Sequence, residues 1–291
     1  MERPLVVGID GSDSSLEAVD WAVDEAALHG LPVRLVYASR WERYEGALPL
    51  DDSDRPSEQE LIDALVRAAV GRARRRNPDI GLTTEVLAED TAIALVNESL
   101  HAAMVVLGSH GRGGLTGLLL GSVSLGVAAR AHCPVVVVRG DTTGRDSTHR
   151  RVLLGVADAG EGSSATRFAF REAVARGCEL DAVRAWRRTV GEAVGHPRAA
   201  GGPGRYHMEA AAAQVDEAVA EWAKEYPEVP LRRSAVEGSA HKVLVMRSAA
   251  ADLMVVGARR RQGHFGLQLG RVAHAVLHHS ECPVAVVPQP A

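Results

Sequence analysis

The chain has 291 residues, of which 46% are hydrophobic and 24% charged, and its formal net charge is −4. A length of this order suggests two domains, each large enough to bury a core without disulfides or metals. The weak negative charge gives no footprint for nucleic acid, and no apolar run approaches the ~20 residues that span a bilayer. Three cysteines without CxxC spacing support neither a disulfide framework nor a zinc site.

Strands and helices alternate along the first half, which begins directly in an apolar strand rather than a secretory signal. We therefore expect a cytoplasmic protein. Gly30 marks the end of the first helix, and Ser57 with Glu60 forms a predicted capping box before the second. The predicted strands are 5–9, 33–38, 83–87, 104–107 and 135–138, the helices are 14–29, 57–76, 90–102 and 122–131, and residues 39–56 are a long polar loop.

The second half repeats this plan. Its predicted strands are 152–156, 180–185, 231–236, 253–256 and 284–287, its helices are 163–176, 207–226, 239–250 and 271–279, and a glycine- and proline-rich loop covers 191–204. Alternation of this kind predicts parallel sheets with helices on both faces.

A constant spacing relates the two halves. Gly257 repeats Gly108 at an offset of 257 − 108 = 149, and Gly155 repeats Gly8 at an offset of 155 − 8 = 147. Self-similarity of this length indicates a duplicated domain, because solenoid repeats run only about 20–50 residues. We predict two tandem, doubly wound, open parallel five-stranded sheets of Rossmann-like type, with domains 1–140 and 151–291 joined by a linker at 141–150.

The most informative motif is the sequence Gly108-Ser109-His110-Gly111, followed after nine residues by Gly121-Ser122. It joins a buried strand to the start of a helix. Glycines let a backbone approach a phosphate chain closely, and free N–H groups at a helix start attract anions. The motif therefore predicts a nucleotide site. It is not a Walker P-loop, which needs a lysine, because the first half contains none.

Ligands of an open parallel sheet lie beyond the carboxyl ends of the strands, near the point where strand order reverses. Asp10 ends the first strand and could contact adenine or ribose, while Ala38 ends the second and could offer an apolar wall for the base. His110 places an imidazole near the anion. Two simpler interpretations stay open, since Asp10 could be a turn or cap residue and His110 an exposed loop residue.

These residues together resemble the universal stress protein superfamily, in particular its tandem-domain, ATP-binding type found in actinobacteria. The family's loop pattern, G-x2-G-x9-G-(S/T), is met by Gly108, Gly111, Gly121 and Ser122. The resemblance implies an adenine nucleotide alpha hydrolase-like fold that binds ATP, with Mg²⁺, at the strand ends. Taken together, the predicted cofactor-binding residues are Ile9, Asp10, Ala38, Leu107, Gly108, His110, Gly111, Gly121, Ser122, Val123 and Ser124, and no residue is assigned to catalysis or to a metal.

The resemblance also implies a regulatory protein, in which nucleotide occupancy of the first domain controls conformation or partner binding in stress tolerance or growth control. Hydrolysis needs a positioned base and charge stabilisation besides a phosphate cradle, so we expect very slow turnover at most. A slow ATP hydrolase and a nucleotide-free interaction module are the alternatives.

The second half departs from the loop pattern. Ala157 takes the place of Asp10, Arg260 that of Gly111, and Arg271 that of Ser122. Either the arginines fill an emptied site or they form a new anion pocket, since arginine binds phosphate well. We favour the loss of standard ATP binding. His274 and His278 share a helix face, which we interpret as an exposed polar face rather than a metal pair.

The last apolar strand of each half lies at a predicted sheet edge, where exposed backbone invites pairing. We therefore expect the two domains to pair as an intramolecular pseudo-dimer through 134–138 and 283–287, with a homodimer as a further possibility. We expect a protein partner of unknown identity and no nucleic acid or membrane partner.

Overall fold

In a computed structural model the chain forms two compact units, Met1–Val138 and Arg139–Ala291. The structure describes residues 3–39, 57–111, 120–140, 148–157, 163–187, 202–259 and 269–289. Most of the predicted polar loop, of the linker and of the loop at 191–204 lies outside these residues, as does Arg260.

Strands and helices alternate through the described part of the first unit, as predicted. Each strand is short and each is followed by a helix, up to the last strand. In chain order the elements are β1 Leu5–Gly8, α1 Asp13–His29, β2 Val33–Ala38, α2 Glu58–Arg76, β3 Leu82–Leu87, α3 Thr91–Glu98, β4 Met104–Gly108, α4 Ser122–Arg130 and β5 Val135–Val138.

The strands of the first unit pair in parallel in the order β3-β2-β1-β4-β5. Leu5 in β1 is in register with Val33 of β2 on one side and with Met104 of β4 on the other. Strand order thus reverses at β1, and right-handed crossovers then place the helices on opposite faces. Consistently, α1 packs against α2 and α3 against α4. The doubly wound fold class is confirmed.

The strands are apolar because both faces of the sheet are covered. Every residue of β5, Val135–Val138, is at most 1% exposed, and Leu5, Val6 and Val7 of β1 are equally buried. β-branched valines also suit an extended, tightly packed strand. The core of the first unit therefore lies along β1, β4 and β5, and their carboxyl ends carry the loops.

The helix ends follow the sequence signals. Ser12 caps α1 by accepting a hydrogen bond from Ser15 N at 3.2 Å, and Gly30 ends the helix with φ = 66°. The capping box is confirmed, because Ser57 N donates to Glu60 Oε2 at 2.8 Å while Glu60 N donates to Ser57 Oγ at 3.3 Å. Within the described ranges, no helix combines the length and the apolar content required to cross a membrane.

The second unit has the same plan. Its strands also pair in parallel, in the order β10-β9-β6-β7-β8. In chain order its described elements are β6 Arg151–Gly155, α5 Ser163–Arg176, β7 Glu179–Trp186, α6 Gly202–Glu225, β8 Leu231–Glu237, α7 Ala240–Ser248, β9 Leu253–Arg259, α8 Arg271–His279 and β10 Val284–Gln289.

Some element ends differ from the prediction. The helix predicted over 90–102 ends at Glu98, and the chain continues in tight turns, with Leu100 N donating to Asn97 O. The helix predicted over 207–226 already begins at Gly202, with Pro203 in its first turn, where the missing N–H of proline costs nothing. Strand β9 continues to Arg259, because β10 pairs with it as far as Gln289.

Candidate functional site

A cavity of about 540 Å³ opens at the carboxyl ends of β1 and β4 in the first unit, at the point where strand order reverses. All of the predicted site residues except Ala38 line it. The predicted residues around the cavity are Ile9, Asp10, Leu107, Gly108, His110, Gly111, Gly121, Ser122, Val123 and Ser124. Their role in binding stays a prediction, but the fold brings them together in one place.

Ala38 is not among the described residues that line the cavity. It is buried at the end of β2, and its carbonyl accepts a hydrogen bond from Thr91 Oγ1 at 2.7 Å. Thr91 and Leu95 of α3 line the cavity instead. Ala38 therefore positions a lining residue through its backbone, and the apolar wall comes from α3.

The carboxylate of Asp10 is fixed by the turn that precedes α1. Its Oδ1 accepts hydrogen bonds from Ser12 N at 2.9 Å and from Ser12 Oγ at 2.6 Å. These bonds are those expected of a turn residue, yet the same side chain lies in the cavity wall. The two interpretations of Asp10 are thus compatible, since the turn orients the carboxylate beside the cavity.

Gly108 is required by the packing of β4 against α1. An ideal Cβ on Gly108 would lie 2.5 Å from Ser14 Oγ and 2.7 Å from the backbone carbonyl of Ser14. The close approach lets Ser14 Oγ accept a hydrogen bond from Ser109 N at 2.9 Å. A glycine at this position therefore lets α1 hold the first turn of the loop that follows β4.

Gly111 lies against the carboxylate of Asp10. An ideal Cβ on Gly111 would be 2.7 Å from Asp10 Oδ2, closer than real side chains pack. From the sequence, we explained Gly111 as a residue that lets the backbone come close to a bound phosphate. The structure supplies a second reason within the protein, because any side chain here would collide with Asp10.

Gly121 differs from the other two glycines. It begins α4 as its N-cap with φ = −63° and ψ = 145°, a conformation open to any residue, and it has no side chain to cap the helix. An ideal Cβ here would lie 3.6 Å from the nearest atom, the Cα of His110, which is an ordinary contact. Its backbone N–H donates to Ser109 O at 2.8 Å. Packing against the described residues therefore does not require a glycine at this position.

The hydroxyl of Ser124 also has a structural task. It donates to Gly108 O at 2.8 Å and thereby ties the first turn of α4 to the end of β4. His110 is exposed, and its Nδ1 lies 2.9 Å from Ser109 Oγ. That hydrogen bond orients the imidazole of His110, which is one of the residues that line the cavity.

Sequence reasoning missed five residues in the described lining, namely Gly8, Ser15, Thr91, Leu95 and Leu120. For Gly8 a signal was present, because Gly155 repeats it in the second half. An ideal Cβ on Gly8 would lie 2.6 Å from Leu107 Cδ2, so this glycine leaves room for the side chain of Leu107, which lines the cavity. Thr91 and Leu95 carry no local signal, since they reach the cavity only through the packing of α3.

A smaller cavity of about 340 Å³ lies at the corresponding strand ends of the second unit. Ala157 stands in its wall at the position of Asp10. Arg271, the counterpart of Ser122, is the exposed first residue of α8 and is not among the described lining residues. Arg260 lies outside the described residues, so the two interpretations of the second loop stay open.

The histidines of α8 are only partly exposed. His274 and His279 are exposed, whereas His278 is half-buried with its ring centroid 4.5 Å from that of His274. Burial lowers the pKa of His278, and the nearby His274, His279 and Arg139 lower it further. The predicted exposed polar face therefore holds for His274 but only in part for His278.

Fold and sequence together define a tandem α/β protein with a cavity at each strand-order reversal, and comparison with known proteins identifies the class. The model of the universal stress protein family matches residues 1–139 and 148–288. The chain belongs to the universal stress protein family, as its loop motif predicted.

Two similar proteins cover nearly the whole chain, and a third covers about half of it. Universal stress protein Rv2005c of Mycobacterium tuberculosis is 35% identical over 99% of this chain and 98% of its own length. A crystal structure of a universal stress protein from Archaeoglobus fulgidus covers 99% of this chain and 98% of its own at 17% identity, with a TM-score of 0.70. A universal stress protein solved in complex with cAMP is 29% identical, covers 47% of this chain and 97% of its own, and has a TM-score of 0.36.

Proposed function

We propose that the first unit binds ATP and that its occupancy controls conformation or partner binding in stress tolerance or growth control. The observation that carries this proposal is the 540 Å³ cavity, where the glycine loop, the start of α4 and the carboxylate of Asp10 meet. Cavities of about 300–1,000 Å³ are typical of small-molecule sites. In the proposed complex the phosphates lie at the loop and α4, and Asp10 lies beside the ribose or base.

The choice of glycine at residue 121 supports a bound anion. Gly108 and Gly111 are explained by contacts with Ser14 and Asp10, but a Cβ on Gly121 would come no closer than 3.6 Å to any atom of the described residues. A glycine at the start of a helix is only slightly less stabilising than a serine or aspartate cap. It also leaves the first backbone N–H groups of α4 accessible to an anion. A phosphate group bound close to the start of α4 would explain why residue 121 is a glycine.

Mg²⁺ would accompany the nucleotide. It binds through one or two carboxylates together with substrate phosphates and keeps several waters. Asp10 is the only carboxylate among the described lining residues. The phosphates and water would therefore supply most of the oxygen ligands of the ion. The bound ion would neutralise phosphate charge in a site without a lysine.

Hydrolysis is proposed to be slow. Among the described lining residues, only His110 and Asp10 could act as a base, and Oδ1 of Asp10 already accepts two hydrogen bonds from Ser12. A phosphate cradle without charge-stabilising partners does not reach the ~1–10³ s⁻¹ of ordinary enzymes. Slow turnover fits a regulatory role, and the proposal includes an unknown protein partner in the cytoplasm. The pairing of the two domains and a homodimer stay predictions.

The test is native mass spectrometry of freshly purified full-length protein, with ATP and Mg²⁺ added where none is carried through. We expect one ATP per chain in the wild type and none in Gly121→Arg, which copies into the first loop the kind of side chain found in the second. Gly121→Ala is a control for the fold alone, because the methyl group fits and stability should be unchanged while ATP binding weakens only in part.

Two alternatives are outcomes of the same experiment, and an ATPase assay on the same proteins tests the third. Two ATP per chain would mean that the second unit is also a standard site. No uptake by the wild type would favour a nucleotide-free interaction module. Turnover at enzyme-like rates, lost in Gly121→Arg, would instead make the protein a hydrolase.

A further inference from the structure

The cavity of the second unit is built differently from that of the first. At the 147- and 149-residue offsets of the repeat, three residues with side-chain oxygen atoms are replaced by alanine. Asp10, Thr91 and Ser124 of the first cavity correspond to Ala157, Ala240 and Ala273 of the second. The carboxylate and both hydroxyls are thus replaced by methyl groups, and the described wall of the second cavity is less polar at these three positions.

The second cavity has also gained a positive charge. Arg184 of β7 lines it and is the only charged side chain among the described lining residues. Its Nη1 donates to Val156 O at 3.1 Å, so the guanidinium lies across the carboxyl end of β6. The first-unit counterpart, at 184 − 147 = 37, is Tyr37, which is not among the residues described around the first cavity.

We propose that this cavity binds a small carboxylate with an apolar body, not a nucleotide. The carboxylate would pair with the guanidinium of Arg184, whose planar donors match a carboxylate in bidentate geometry. The hydrocarbon body would pack on Leu244, Val256 and Val272. A guanidinium has five N–H donors, so the carboxylate would join the Val156 carbonyl and the other contacts that Arg184 already makes.

The size and polarity of the cavity select against ATP. At about 340 Å³ it is smaller than the 540 Å³ cavity of the first unit. Ribose hydroxyls placed against Ala157 and Ala240 would lose their hydrogen bonds to water without gaining protein partners, which is costly in an apolar wall. A charge pair surrounded by apolar side chains is strengthened by the low local dielectric. This proposal does not depend on nucleotide binding by the first unit.

The test is calorimetric titration of full-length protein with octanoate and, separately, with 1-octanol, its uncharged analogue. We expect one octanoate per chain in the wild type and binding weaker by at least about tenfold in Arg184→Met, the loss of one charge-assisted bond. Arg232→Met is the control, because Arg232 is an exposed residue of the neighbouring strand β8. 1-Octanol should bind all three proteins equally weakly.

A second variant, Ala157→Asp, restores the first-unit carboxylate without removing Arg184 or its bond to Val156. It should abolish octanoate binding by repulsion and by pairing with the arginine. Equal octanoate affinity in the wild type, Arg184→Met and Ala157→Asp would overturn the proposal, because binding would then lie elsewhere. Absence of octanoate binding to the wild type would overturn it as well.

Discussion

The carboxylate of Asp10 occupies the space that a side chain at residue 111 would need, with Oδ2 only 2.7 Å from the ideal Cβ position of Gly111. The repeat in the second half changes both residues, to Ala157 and Arg260. In the first unit the Asp10 carboxylate and the missing side chain of Gly111 thus form one structural unit.

Gly111→Ala should therefore destabilise the first unit through its collision with Asp10. Overpacking of this kind costs about 1–3 kcal/mol, and Ser12 holds Oδ1 so that the carboxylate cannot simply turn away. The double variant Asp10→Ala/Gly111→Ala should recover part of the loss, giving a coupling of at least about 0.5 kcal/mol in a urea-denaturation cycle. Additive effects of the two substitutions would contradict the contact.

Gly108→Ala and Gly121→Ala should separate the glycines that the fold needs from the glycine that a ligand needs. Alanine at 108 meets the backbone of Ser14 at 2.7 Å and should cost about 2–3 kcal/mol of unfolding free energy. Alanine at 121 has room and should stay within about 0.5 kcal/mol of the wild type.

The affinity for ATP completes that comparison. Gly121→Ala should weaken ATP binding several-fold while its urea midpoint stays unchanged, since the methyl group enters the cavity wall at the start of α4. If Gly121→Ala binds ATP as well as the wild type does, the argument from this glycine fails, whatever the stability of Gly108→Ala.

The sequence was sufficient for the features that depend on near neighbours. Apolar strands, the capping box at Ser57 and the glycine spacing from Gly108 to Gly121 are encoded over a few residues, and all were predicted. The repeat then extended the same plan to the second half. These features follow from backbone preferences and periodicity, which need no knowledge of tertiary contacts.

Contacts made across the fold were not predictable in the same way. Ser14 and Ser109 are 95 residues apart, and only the packing of α1 on β4 brings them within 2.9 Å. Ala38 ends the right strand, but its place beside the cavity is taken by Thr91 from α3. Arg184 sits at the position of Tyr37, so the first half gave no reason to expect it in a cavity wall.

Ser14→Ala should weaken ATP binding as well as the fold. Ser14 is 3% exposed, and its loss leaves Ser109 N without its acceptor at the start of the glycine loop. An unsatisfied buried N–H costs about 1–3 kcal/mol, and the loosened loop should raise the Kd for ATP several-fold in isothermal titration.

Ser99→Ala is the matched control for that variant. Ser99 is 1% exposed and accepts a backbone N–H from His132 at 2.8 Å, but it is not among the described residues lining the cavity. It should lose comparable stability and keep the wild-type Kd. A similar loss of affinity in both variants would show that ATP binding follows general stability rather than the position of the loop.

The buried cysteines should make the protein less stable in alkali. Burial raises the pKa of the Cys133 thiol from 9.0 to about 12, and burial also raises the pKa values of Cys178 and Cys282. Below about pH 7.5 the thiol is protonated in both states and contributes almost no pH dependence. Above that pH the unfolded thiol ionises while the folded one keeps its proton, so stability falls as pH rises, by up to about 1.4 kcal/mol per pH unit for each such cysteine.

Urea denaturation of the wild type and Cys133→Ala between about pH 8 and pH 10.5 checks this. The variant should show the shallower decline whatever its absolute stability, and equal slopes would mean that Cys133 ionises as readily in the folded protein as in the unfolded chain.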